Sequence, residues 1–129
     1  MTEKLEFYKC HICGNLVQVL LSGMGELVCC GEKMEKLTPH HDDNDEFSEK
    51  HVPRFESVEG KNFVVLKYHP MIEEHYIQFI EIYKKDKSEV CLKYLNPNEK
   101  AQMEIYSETE DLGAFEYCNI HSLWENKND

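Results

Sequence analysis

His75-Tyr76-Ile77-Gln78-Phe79-Ile80-Glu81-Ile82-Tyr83 is the stretch whose reading decides the fold. Extended back to Ile72, it satisfies two patterns at once. Ile72, His75, Tyr76, Phe79, Ile80 and Tyr83 make an apolar stripe at helical spacing, whereas Tyr76, Ile80 and Ile82 share the parity of one strand face. Its Tyr, Ile and Phe side chains pack well on a pleated surface and are stiff in a helix, so residues 75–83 are read as strand. The flanking segments then agree with it. Runs at 52–58, 62–68, 90–95, 102–106 and 114–117 are rich in β-branched and aromatic residues, and Glu59-Gly60-Lys61 and Asn96-Pro97-Asn98 are turns. The pattern predicts an all-β antiparallel sandwich.

Residues 1–38 are of a different kind. Short strands are expected at 5–8, 16–21 and 26–28, with Gly23 and Gly25 in the turn between the last two. So small a unit rarely folds on core burial alone, so a metal or a partner chain must supply the deficit. Pro39-His40-His41-Asp42-Asp43-Asn44-Asp45-Glu46-Phe47-Ser48 reads as an acidic linker or surface loop. The expected organisation is a small unit over 1–38 and a sandwich over 39–129.

Composition narrows the function. The chain has 129 residues and a net charge of −11. That charge repels phosphate backbones and anionic membrane surfaces, so no nucleic-acid or membrane partner is expected. Its apolar runs are far shorter than a membrane span, and Met1-Thr2-Glu3-Lys4 resembles no export signal, which makes a cytoplasmic location the expectation. There thiols stay reduced, and six Cys with seven His in so short a chain point to metal or redox chemistry.

Cys10-His11-Ile12-Cys13 and Cys29-Cys30 place two sulfurs on each of two segments, as in zinc ribbons and mononuclear iron–thiolate centres. Gly14 and Gly31, each just past a pair, free the backbone to turn N–H groups toward the sulfurs. His11 is expected to face solvent. The adjacency of Cys29 and Cys30 leaves zinc and iron both open. A second group, His51, His69, His75, Cys118 and His121, falls at the edges of the expected strands, where the loops of a sandwich converge. Four imidazoles and one thiolate favour a redox metal and leave a sixth position for a small substrate. Cys91 belongs to neither group and is read as a small core hydrophobe. An electron carrier built on the four-cysteine site, or a zinc-ribbon interaction module, are the alternative readings.

Taken together these segments resemble desulfoferrodoxin, the two-iron class of superoxide reductase. The match is carried by Tyr8-Lys9-Cys10, Cys13-Gly14-Asn15, Gly25 through Gly31, Glu49-Lys50-His51-Val52-Pro53, His69-Pro70-Met71, His75-Tyr76-Ile77, Glu116-Tyr117-Cys118-Asn119, His121, Leu123 and Trp124. The resemblance implies a desulforedoxin-like Fe(Cys)4 domain over 1–38 and an immunoglobulin-like β-sandwich over 39–129. Cys10, Cys13, Cys29 and Cys30 would hold the first iron. His51, His69, His75 and His121 would ring the second, with Cys118 on its axis. Glu49 would occupy the sixth position in the oxidised state, and Lys50 would assist an anionic substrate. The implied activity is one-electron reduction of superoxide to hydrogen peroxide without dioxygen, with rubredoxin the expected electron donor. A homodimer packed through the small units is also expected.

Overall fold

The computed structural model describes residues 1–41, 51–106 and 108–127, and the chain divides into Met1–Thr38 and Pro39–Asp129. In the first unit β1 (Phe7–Lys9) lies between β2 (Leu16–Gln18) and β5 (Glu35–Lys36), and β3 (Val28–Cys29) pairs with β4 (Glu32–Lys33) as a separate hairpin. Every pairing is antiparallel. The hairpin turns at Cys30 and Gly31, with φ of 55° and 77°, a left-handed pair suited to a tight two-residue connection. Buried apolar side chains here amount to Leu5, Phe7, Cys10 and Val19, which is the small core expected.

The second unit is built on β6 (Arg54–Val58), β7 (Lys61–Val65), β8 (Ile77–Lys84), β9 (Val90–Tyr94), β10 (Gln102–Ile105), β11 (Leu112–Cys118) and β12 (Ser122–Asn126). They form two antiparallel sheets, ordered β10-β7-β6 and β12-β11-β8-β9. Three strands and four make the seven-strand count of an immunoglobulin-like sandwich. The main core draws on both sheets: Val64 and Met103 from one, Ile80, Ile82, Leu112 and Ala114 from the other.

Residues 77–84 are strand, and their double pattern has a physical cause. Phe79, Glu81 and Tyr83 on one parity and Ile80 and Ile82 on the other are all buried, so no solvent face imposes alternation. Phe79 stacks on Tyr117 and Tyr83 on Phe115, at centroid separations of 5.8 and 4.9 Å.

Three expectations need correction. The strands β4 and β5 were not foreseen, being two residues each and charged. The expected strand at 114–117 belongs to a longer hairpin, and its partner β12 was also missed. Its turn passes through Ser122 with φ 68°, and no glycine or proline marks it. Cys91 is exposed rather than buried, because β9 is an edge strand exposed along its whole length. Most of the acidic stretch at 39–48 lies outside the described residues.

Candidate metal centres

The sulfurs of Cys10, Cys13, Cys29 and Cys30 all lie within 4.8 Å of one another. Cys13 Sγ stands 3.6 Å from Cys29 Sγ, which is 4.0 Å from Cys30 Sγ. Four thiolates at about 2.3 Å from one tetrahedral ion would be about 3.8 Å apart, so the cradle fits such an ion. The loop geometry follows from local sequence. Gly14, at φ 85°, lets its N–H return to the Cys10 carbonyl at 2.9 Å, and Cys13 N–H approaches Cys10 Sγ at 3.5 Å. The backbone N–H groups of Cys13 and then Ile12 bring the Cys10 thiol down to about 6. Cys30, sharing protons with the sulfurs of Cys13, Cys10 and Cys29, is pushed up to about 12. His11 faces solvent, 2.7 Å from Glu32.

The second group gathers at one end of the sandwich. His51 precedes β6, His69 and His75 lie between β7 and β8, Cys118 ends β11, and His121 lies in the turn to β12. One donor atom each from His51, His69, His75 and Cys118 falls within a common 4.8 Å. His121 completes the ring: its Nδ1 is 3.0 Å from His51 Nε2 and 3.9 Å from Cys118 Sγ, and its ring centroid is 5.0 Å from that of His75. The five residues that spacing singled out are thus brought together. Three imidazoles and a thiolate within a common 4.8 Å, with the fourth imidazole at their edge, fit one redox-active transition metal.

Orientation comes from the strands behind. His51 Nδ1 is 3.1 Å from Glu116 Oε2, with both side chains fully buried, so the tautomer that donates from Nδ1 leaves Nε2 for a metal. The His51 ring lies on the Trp124 indole at 4.9 Å and 14°, and Trp124 Nε1 donates to the His121 carbonyl at 3.0 Å. His69 Nδ1 is 2.5 Å from the Pro70 carbonyl, which presents Nε2 in the same way. Burial pushes the Cys118 thiol up, against backbone N–H groups of His121 and Ile120 that favour the thiolate. Burial also holds the Glu116 carboxyl well above its usual range, and its Oε1 has no hydrogen-bond partner among the described residues. Glu49 and Lys50 lie outside the described residues.

The family model of the desulfoferrodoxin N-terminal domain matches residues 2–37, and that of desulfoferrodoxin matches residues 43–127. The chain belongs to the desulfoferrodoxin family. Desulfoferrodoxin of Desulfarculus baarsii is 42% identical over 99% of this chain and 100% of its own. Desulforedoxin of Megalodesulfovibrio gigas is 53% identical over 36 residues, which is 28% of this chain and 97% of that one. The superoxide reductase of Treponema pallidum shares the fold, with a TM-score of 0.69 and 23% identity over 98% of this chain and 100% of that one. As in a desulfoferrodoxin, the two donor sets suit two mononuclear non-haem iron ions, Fe(Cys)4 and Fe(His)4Cys.

Glu116 and Trp124 entered the sequence reading only as part of the resemblance, with no supporting function assigned to either. Glu116 is a carboxylate inside a wholly buried strand, and that mismatch is the signal that could have found it.

Proposed function

We propose that this desulfoferrodoxin is a superoxide reductase, catalysing one-electron reduction of superoxide to hydrogen peroxide without release of dioxygen. The observation that carries the reading is the convergence of four imidazoles and one thiolate at a loop end, donors that would hold a six-coordinate ion and leave it one position for a small anion. Iron held there supplies the electron and a cationic site. The chain's residues do the rest. Glu116 fixes His51 in one tautomer, Trp124 holds its ring, and the N–H groups of the turn after Cys118 favour its thiolate. Neutral imidazoles with a single thiolate around a divalent ion leave net positive charge, which attracts the substrate despite a chain charge of −11. Lys50 would add to that attraction and order a water able to pass a proton to the reduced oxygen. Glu49 would cover the open position between turnovers.

In this reading 1–38 is the Fe(Cys)4 domain and 39–129 the catalytic one. An external one-electron donor such as rubredoxin would restore the reduced state. Exposed Leu20, Leu21, Met24 and Val28 support a homodimer packed through the first units. Among the described residues no helix is long and apolar enough to cross a membrane, and the acidic, reduced-thiol composition supports a cytoplasmic location without nucleic-acid or membrane partners.

The competing reading is an electron carrier in which the second unit is scaffold. His75→Ala separates the two: superoxide consumption should be lost while the colour of the four-cysteine centre persists. Undiminished superoxide reactivity in that variant would favour the carrier.

A further inference from the structure

The turn that carries Cys118 and His121 is tied to the segment that carries His75 by one side chain. Asn119 Oδ1 accepts a hydrogen bond from Tyr76 N–H at 2.9 Å, and Asn119 Nδ2 donates to the Glu74 carbonyl at 3.0 Å. Its own N–H donates to the Tyr76 carbonyl at 3.2 Å. The two side-chain bonds land on the residues immediately before and after His75. The His75 backbone is closed from its other side by reciprocal bonds with Ile72, each 3.1 Å.

The ladder between β8 and β11 is broken at this same place. Tyr117 pairs with Phe79, but Cys118 pairs with Ile77, so Gln78 is passed over and the register shifts at the residue whose sulfur joins the histidines. A bulge re-aims a side chain and at the same time weakens the pairing that would hold it. The carboxamide of Asn119 adds two bonds across this shift in register, and only a group with both an acceptor and a donor can make that pair.

We propose that Asn119 is a positioning residue, an amide clamp that fixes Cys118 and His75 relative to each other ahead of metal binding. This rests on the reading that both are ligands of one iron. Asn119 is exposed, so shortening it empties no core; its effect should fall on the geometry of the centre rather than on the fold.

The test uses the full-length, iron-loaded protein as wild type, Asn119→Ala and Asn119→Asp. Release of the second iron to a chelator is followed directly, together with the oxidised difference spectrum against wild type, in which the bands of the four-cysteine centre cancel and the Cys118 thiolate-to-iron band remains. Supporting residues behind metal ligands typically change affinity about 10- to 100-fold. Asn119→Ala should release the second iron at least about tenfold faster and shift that band. Asn119→Asp keeps the acceptor for Tyr76 but turns a carboxylate oxygen toward the Glu74 carbonyl, so it too should release the second iron faster than wild type. Wild-type extraction and an unshifted band in Asn119→Ala would overturn the clamp, as would a lowered melting temperature with both readouts unchanged. If Asn119→Ala does not accumulate folded, Asn119→Asp decides, and wild-type behaviour there overturns it. Superoxide consumption is scored separately, so failure of the enzymatic reading in wild type leaves the clamp result interpretable.

Discussion

Glu116 shows how a buried carboxyl group is put to use at the scale of one residue. Desolvation disfavours its carboxylate, and His51 Nδ1 at 3.1 Å is the partner that orients the imidazole. Their place at expected strand edges made the candidate ligands legible, because the loops of a sandwich converge there, and the resemblance assigned their roles. Such placement could not reveal Glu116, since a carboxylate in a strand is ordinarily read as a solvent-facing position. Lys50 is the residue whose role carries the sharpest prediction. If it steers the anion, Lys50→Ala should slow the second-order encounter with superoxide while leaving iron bound. Added salt should slow the wild type and slow the variant less, because the field screened beyond about 8 Å at physiological ionic strength is then mainly that of distant carboxylates. Stopped-flow rates across a salt series would measure this, and superimposable curves would remove Lys50 from the mechanism.

At the scale of elements, β8 and β11 are the strands on which the site depends, and both are buried on both faces. That burial removes the alternation a strand would otherwise show over 77–83, and so aromatic and β-branched content had to arbitrate. The converse failure is β9, whose Val90-Cys91-Leu92-Lys93-Tyr94 reads as a half-buried strand but is an exposed edge. An edge is a property of topology, which local composition does not encode. Gly113 marks how closely β8 and β11 are matched. It pairs with Tyr83, and a Cβ there would lie 2.2 Å from the Tyr83 ring and hydroxyl, displacing a side chain whose hydroxyl donates to the buried Glu125 carboxylate. Gly113→Ala should therefore cost about 1–3 kcal/mol, the usual penalty of overpacking. Urea unfolding followed through the fluorescence of Trp124, the single tryptophan, would report it, and an unchanged midpoint would show that Tyr83 moves aside freely.

At the scale of the whole molecule the chain divides into two units, and among the described residues each holds one donor set. The four-cysteine set was legible because paired thiols in a short, glycine-punctuated segment have few other uses. The short strands around it were not, since two-residue ladders leave no periodicity to read. Independence of the two centres is testable. Cys13→Ser should remove one iron and its visible bands while superoxide consumption stays mostly intact, and retention of both irons would contradict the four-sulfur assignment. The net charge of −11 does not oppose the proposed substrate, because the local cation is what the anion meets within a screening length.

The central claim is that superoxide is reduced and never oxidised. Its most direct measurement is product stoichiometry: the iron-loaded protein, kept reduced by an excess of a chemical electron donor, is supplied with a calibrated flux of superoxide while hydrogen peroxide and dioxygen are both followed. The account predicts one peroxide for each superoxide consumed and no dioxygen above the control without protein. Half as much peroxide with matching dioxygen would identify a dismutase, and no acceleration of superoxide loss would leave an electron carrier; either result contradicts the account.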